Sequence, residues 1–132
     1  MQKITTFLMF DGKAEEAMNF YQSLFPDSGV KSIDRYGENE AGVIGSVRYA
    51  LFTLGAQDFM CIDSPVKHQF RFSPAMSLFV TCDTQGEIEL LYARLSEGGQ
   101  ILMPLHEYPF SKCYAWLNDK YGVSWQLTLT ES

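Results

Sequence analysis

Eight side chains in this sequence have the types and positions expected of a small-molecule site. They are Thr5, Phe7, Cys61, Asp63, Ser77, Phe79, Trp116 and Gln126. The amide and the hydroxyl groups would hydrogen bond to a ligand, and the aromatic rings would stack on a planar one. The thiol and the carboxylate add a nucleophile and an acid or base, although thiol chemistry needs a lowered pKa. Each residue also has a structural alternative, such as strand packing or, for Asp63, capping of the turn that follows it.

Histidines are a second source of acid–base chemistry, and the sequence contains two. His68 lies near Phe70 and Phe72 in a connecting segment, where it could belong to a lid or to an exposed loop. His106 precedes Glu107, but neighbouring side chains of an extended segment point to opposite faces, so this pair is not expected to act together. The sequence has no nucleophile elbow, nucleotide-binding Gly-rich turn or paired-carboxylate motif.

A strand followed by a helix occurs twice and supplies the frame that would position these residues. The first copy is predicted as a strand over residues 4–10 and a helix over 13–25. The second is predicted as a strand over 76–82 and a helix that ends near residue 97, offset from the first by about 71 residues. Similar halves of one chain usually fold as similar modules with a shared architecture.

Three further strands are predicted after each helix. They cover residues 30–36, 45–54 and 59–63 in the first half and 100–103, 113–118 and 123–130 in the second. Each half therefore has the order strand, helix and three strands. We assign one module to residues 1–63 and another to 75–132, joined by 64–74, within a single domain.

Capping residues mark the ends of both predicted helices. Asp11 is expected to cap the start of the first helix, and Pro26 forces its end. Thr84 and Glu87 have the spacing of a capping box at the start of the second, which two glycines terminate.

Alternation along the strands separates an apolar side from a mixed side. In the last strand Trp125 and Leu127 point one way, while Gln126 and Thr128 point the other. The apolar sides are expected to pack under the helices. The mixed sides, part polar and part aromatic, are expected to line a concave surface of the kind that binds small molecules.

Composition excludes some classes of function. The formal net charge is -6 and the basic residues are scattered, which argues against nucleic-acid binding. The three cysteines are far apart, as in proteins of a reducing compartment. No apolar signal segment or membrane-spanning stretch is present in the sequence, so a cytoplasmic location without membrane association is expected.

Three segments of the chain resemble a known family. They read FLMFDGKAEEAMNFY over residues 7–21 with LFP over 24–26, FRFSPAMSLFV over 70–80, and WLNDKYGVSWQ over 116–126. These segments are similar to the PhnB-like proteins, often labelled demethylubiquinone methyltransferase-like. They form a branch of the glyoxalase/bleomycin-resistance, or vicinal oxygen chelate, superfamily. The resemblance implies an α+β fold in which two tandem βαβββ modules form a curved mixed sheet around a concave cavity, commonly as a homodimer.

The resemblance also implies where a metal ion would bind in metal-dependent relatives. Carried over to this chain, the first-strand ligand position falls on Thr5, the fifth-strand position on Ala75 and the eighth-strand position on Gln126. The fourth-strand position lies near Cys61 or Asp63. Alanine has no donor atom, and neutral threonine and glutamine are weak ligands. We therefore expect no metal ion and no cofactor.

Three hypotheses about function follow. The first is metal-free binding of a small organic molecule by a homodimer, in a cavity that retains its polar and aromatic lining. The second is a lyase, isomerase or dioxygenase-like enzyme that holds a metal through noncanonical ligands such as Asp63, His68 or Gln126. The third is an interaction protein without a small ligand, whose cavity is filled by aromatic side chains.

Overall fold

The structure, a computed structural model, describes residues 2–131 and contains two compact units that divide after His68. Unit 1 contains β1 (Thr6–Phe10), α1 (Ala14–Leu24), β2 (Gly29–Arg35), β3 (Val47–Leu54) and β4 (Gln57–Asp63). Unit 2 contains β5 (Leu78–Cys82), α2 (Gln85–Ser96), β6 (Gln100–Tyr108), β7 (Ser111–Asn118) and β8 (Ser124–Leu129). The predicted α+β class and the βαβββ order of both modules are confirmed.

Each unit has its own four-stranded mixed sheet. The strand order is β1-β4-β3-β2 in unit 1 and β5-β8-β7-β6 in unit 2. In both units the first and last strands are parallel neighbours, and the remaining pairs are antiparallel. The backbone N–H of Ser64 donates to the Phe10 carbonyl at 2.8 Å, and that of Thr130 donates to the Cys82 carbonyl at the same distance. The repeat therefore extends to individual hydrogen bonds.

The helices cover one side of each sheet, as the alternation predicts. The buried residues of α1 are Ala14, Ala17, Met18 and Tyr21, and those of α2 are Ile88, Leu91 and Leu95. Beneath them lie buried strand residues that include Ala50, Phe52, Cys61, Leu117, Trp125 and Leu127. Burial of this apolar area is the main source of stability of each unit. None of the helices described over residues 2–131 is long and apolar enough to cross a membrane.

Strand β6 is longer than predicted. It continues past Pro104 to Tyr108, although its register with β7 shifts at several points. Because β6 is an outer strand, one of its sides has no partner in the sheet, and a proline without a backbone N–H is tolerated there. The extension places His106 opposite Tyr114.

The prediction that Asp11 caps α1 is wrong. The N-cap residue is Lys13, and it makes no side-chain capping hydrogen bond. Instead Asp63, which is 3% exposed at the end of β4, accepts the backbone N–H of Ala14 at 2.9 Å and that of Val47 at 3.0 Å. One buried carboxylate therefore joins the start of α1 to the start of β3.

The predicted Thr84 cap of α2 is confirmed, although the Glu87 carboxylate bonds to the residue before the N-cap and not to the N-cap itself. A close contact follows the end of that helix. The Thr84 hydroxyl accepts the backbone N–H of Glu87 at 3.1 Å, and the Glu87 carboxylate accepts that of Asp83 at 2.7 Å. After the helix, Gly99 lies against the backbone of β7. A Cβ atom at this position would be 2.1 Å from the Asn118 carbonyl oxygen.

A second buried carboxylate holds the connection between β7 and β8. Asp119 is 3% exposed. It accepts the backbone N–H groups of Tyr121 at 2.9 Å and Val123 at 3.0 Å, and the indole N–H of Trp125 at 2.9 Å. The turn and the core tryptophan are thus tied to one side chain.

We expect Asp63→Asn to lower the free energy of unfolding by about 2 kcal/mol, because the amide turns an N–H donor toward a backbone donor. Urea unfolding followed by circular dichroism measures this change. Asp34→Asn, at an exposed carboxylate, is the control and should change stability by less than about 0.5 kcal/mol. Equal effects of the two substitutions would contradict the bridging role of Asp63.

A pair of glycine substitutions tests the contact between Gly99 and β7. Gly99→Ala should destabilise the protein by more than about 2 kcal/mol, since its methyl group meets backbone atoms that do not move independently. Gly86→Ala in α2 should stabilise it by about 0.5 kcal/mol, because the nearest atom is 4.0 Å away and alanine favours a helix. Thermal unfolding measures both effects. A change of the unfolding temperature in the same direction for both variants would refute the predicted contact.

Candidate functional site

The strongest candidate site is the face of the unit 2 sheet opposite α2. We call it the distal face and define it by Ser77, Phe79, Tyr114, Trp116, Ser124 and Gln126. Strand alternation produces this face, because Trp125 and Leu127 of β8 are buried on the helix side and Gln126 between them points away.

Three strands bring an amide between two aromatic residues on the distal face. Gln126 is paired with Phe79 on its parallel neighbour β5 and with Trp116 on its antiparallel neighbour β7. The Phe79 side chain is 59% exposed, an unusually large fraction for this apolar ring. The row Phe79–Gln126–Trp116 therefore combines stacking surface with a central hydrogen-bonding group.

Both ends of the Gln126 amide are hydrogen bonded. The Tyr114 hydroxyl donates to its carbonyl oxygen at 2.5 Å, and its N–H group donates to the Ser77 hydroxyl oxygen at 2.7 Å. Beside this chain, the indole N–H of Trp116 donates to the Ser124 hydroxyl at 2.9 Å. These bonds fix the positions of the amide and of the Trp116 ring.

Aromatic rings surround Tyr114, which is at one end of the hydrogen-bond chain Tyr114–Gln126–Ser77. Tyr108 and Phe110 both approach Tyr114 edge-on, with ring centroids at 5.7 and 4.8 Å. Burial, with a smaller contribution from Tyr108, raises the pKa of the Tyr114 hydroxyl. The phenol therefore remains a proton donor at neutral pH.

Four of the residues predicted from the sequence lie together on this face, namely Ser77, Phe79, Trp116 and Gln126. Tyr114 joins them, and its hydrogen bond to Gln126 is not predicted by the sequence patterns. Alternation alone places Tyr114 and Trp116 on one side of β7. The missing information was the register of the β7–β8 hairpin, which decides what lies opposite each ring.

The other predicted residues lie in unit 1, where the equivalent row is apolar. Phe7 of β1 is paired with Met60, which is paired in turn with Leu51. Phe7 is 50% exposed, and Thr5 immediately precedes β1. Met60 thus occupies in unit 1 the position that Gln126 occupies in unit 2.

Cys61 and Asp63 point to the helix side of the unit 1 sheet. Both are buried, and they alternate with the less buried Met60 and Ile62. Burial, together with the nearby Asp63 charge, raises the pKa of the Cys61 thiol to about 12. Within residues 2–131 no three His, Cys, Asp or Glu side chains are placed to hold a metal ion.

Unit 1 also has a surface pocket of about 320 Å³ between the start of α1 and the loop that joins β2 to β3. Its lining comes from residues 11–12, 41–43, 46 and 63–65. The Asp63 carboxylate in this lining is already used by two backbone N–H groups. Nearby, His68 is exposed and its Nε2 lies 3.0 Å from the Ser64 hydroxyl oxygen. The Ser46 and Ser64 hydroxyls in the lining donate to the backbone carbonyls of Val43 at 2.6 Å and Val66 at 2.7 Å.

We expect Cys61 and Cys82 to react slowly with thiol reagents in the folded protein. Burial raises the pKa of each thiol to about 12, so very little thiolate forms near pH 8. Iodoacetamide labelling followed by peptide mass spectrometry should show both sites protected, and fully modified once the chain is unfolded in urea. Rapid native labelling of Cys61 would contradict its burial under α1.

Solved structures with similar folds come from several bacteria. A PhnB protein from Bacillus cereus is 65% identical, with a TM-score of 0.96, and the match covers 98% of this chain and 100% of that one. Protein PA1353 from Pseudomonas aeruginosa is 21% identical with a TM-score of 0.86 over 100% of both chains. A glyoxylase/bleomycin resistance protein/dioxygenase domain from Frankia is 13% identical, with a TM-score of 0.64 over 100% of this chain and 94% of that one. The last two show the fold alone.

The family comparison covers almost the whole chain. None of the curated proteins compared with it matches. The model of the 3-demethylubiquinone-9 3-methyltransferase family matches residues 2–128. With the two βαβββ modules and the high identity to the Bacillus cereus protein, this match shows that the chain belongs to the PhnB-like 3-demethylubiquinone-9 3-methyltransferase family, on the glyoxalase/bleomycin-resistance fold.

Proposed function

We propose that this protein binds a small, partly apolar organic molecule on the distal face of unit 2, without a metal ion. The observation that carries the proposal is the row Phe79–Gln126–Trp116, in which two aromatic residues flank an amide held by hydrogen bonds. Few oriented polar groups within an aromatic surface are typical of small-molecule sites. The exposed Phe79 ring supplies stacking area for a planar group.

The donor chemistry of Gln126 favours a metal-free site. Its carbonyl oxygen already accepts the Tyr114 proton, and its nitrogen donates to Ser77. A neutral amide is a weak ligand compared with a carboxylate or an imidazole. A divalent ion here would have to share the Gln126 carbonyl oxygen with the Tyr114 proton, which makes a weak ligand weaker still.

The remaining sequence-based expectations extend this proposal. Homodimer formation and a cytoplasmic location stay predictions, as does a contribution from Thr5 and Phe7 of unit 1. The family name describes a methyl transfer, so S-adenosylmethionine belongs among the compounds to be tested beside simple aromatic molecules and divalent ions.

Trp116 provides an optical test, because the chain has two tryptophans in different environments. Trp125 is 2% exposed and tied to Asp119, whereas Trp116 lies on the distal face. A ligand that stacks on this face should quench or shift the Trp116 emission and raise the unfolding temperature. Trp116→Phe should remove the fluorescence change and leave Trp125 emission as it was.

Matched variants locate the binding site. Phe79→Ala should weaken binding about fivefold to tenfold through loss of ring stacking. Leu90→Ala removes an apolar side chain of α2 that is 58% exposed, away from the distal face, and should leave affinity unchanged. Equal losses of affinity in the two variants would contradict the proposed location. A divalent ion that binds the unsubstituted protein and no longer binds Gln126→Ala would contradict the metal-free site.

A further inference from the structure

The Tyr114 hydroxyl determines which atom of the Gln126 amide faces which neighbour on the distal face. The Tyr114 side chain is 4% exposed and packed against the rings of Tyr108 and Phe110. A buried hydroxyl proton needs an acceptor inside the protein. The Gln126 carbonyl oxygen is that acceptor, at 2.5 Å. Because the oxygen of the amide faces Tyr114, its N–H groups face away from Tyr114.

The other end of the hydrogen-bond chain is Ser77, whose hydroxyl oxygen accepts a hydrogen bond from the Gln126 nitrogen at 2.7 Å. An amide nitrogen cannot accept in return, so the Ser77 proton must be directed elsewhere. Among the described residues of unit 2, none accepts a hydrogen bond from the Ser77 hydroxyl. Ser77 is only partly buried. Its proton is therefore free to meet a bound molecule.

The neighbouring polar groups do not offer a comparable proton. The Trp116 N–H is used by the Ser124 hydroxyl. The Ser111 hydroxyl donates to the Cys113 carbonyl at 2.8 Å, and the Tyr108 hydroxyl donates to the Pro104 carbonyl at 2.6 Å. Of the groups compared here, Ser77 therefore has the hydroxyl proton that is left without an acceptor in the described part of unit 2.

We propose that Ser77 is a specificity-determining residue that presents a hydrogen-bond donor, and that the bound molecule places an uncharged acceptor atom, such as a carbonyl oxygen or a ring nitrogen, opposite it. The acceptor belongs to a planar molecule because Phe79 and Trp116 flank Gln126 in the same row. This inference rests on the proposed function, since it names the chemical class that the distal face selects. A molecule of the same shape with a donor in place of the acceptor would leave the Ser77 proton without an acceptor and would bind more weakly.

Two small aromatic probes separate the alternatives. Quinoline has a ring nitrogen that only accepts a hydrogen bond near pH 8, and indole has a ring N–H that only donates. Titrations followed by ligand-observed NMR should give quinoline an affinity about fivefold higher than indole, the ratio expected for one hydrogen bond. Ser77→Ala should remove the preference by lowering the affinity for quinoline alone.

A second substitution tests the direction of the hydrogen bond between Gln126 and Ser77. Gln126→Glu replaces the N–H groups by a carboxylate oxygen, so that Ser77 donates toward position 126 and the face presents acceptors. The preference should then reverse in favour of indole. Phe79→Ala should weaken both probes by similar factors, and Leu90→Ala should weaken neither. Circular dichroism and urea unfolding verify that each variant is folded.

Each outcome decides between separate claims. Equal affinity of quinoline and indole for the unsubstituted protein, or a preference that survives Ser77→Ala, would overturn the donor assignment and leave small-molecule binding intact. Binding of both probes with no effect of Phe79→Ala would overturn the location of the site and with it this inference. Failure of both probes to bind would contradict the stacking surface on which the proposed function rests.

Discussion

The register between β7 and β8 decides which side chains meet on the distal face, and the buried Asp119 carboxylate holds that register. Asp119 accepts two backbone N–H groups of the turn and the indole N–H of Trp125. Trp116 is consequently opposite Gln126. A slip of one residue would turn the apolar residues of β8 toward this face and bury Gln126 under α2. The set of side chains that meet on the distal face therefore depends on a turn at the edge of the sheet.

The two modules share their strand order and strand pairing but differ in the side chains at equivalent positions. Phe7 and Phe79 are equivalent in the two first strands, but their partners in the last strands are Met60 and Gln126. The starts of the helices differ as well. A residue of β4, Asp63, binds the start of α1, whereas Thr84 caps α2 locally. Two sheets of the same topology thus carry one apolar and one polar aromatic row.

Local sequence patterns predicted the order of elements, the helix faces and the association of Ser77, Phe79, Trp116 and Gln126. Two of the differences from prediction originate in contacts between residues that are distant or not locally specified in the sequence. Asp63 caps α1 from 49 residues away, which no local capping rule detects. Cys61 and Asp63 are a different case: they lie near the fourth-strand position that the resemblance indicates, and local alternation along β4 turns both to the helix side. The hydrogen bond between Tyr114 and Gln126 depends on hairpin register, which composition does not determine.

The parallel pairing of first and last strands has a consequence for how the chain is made. The β1–β4 ladder ends with the contact between Phe10 and Asp63, and every strand of the first sheet comes from residues that precede His68. On a ribosome that synthesises from the amino terminus, this sheet lacks its β4 strand until most of unit 1 has emerged. Asp63 is the last residue of β4, so the buried bond that joins α1 to β3 forms as the first module is completed.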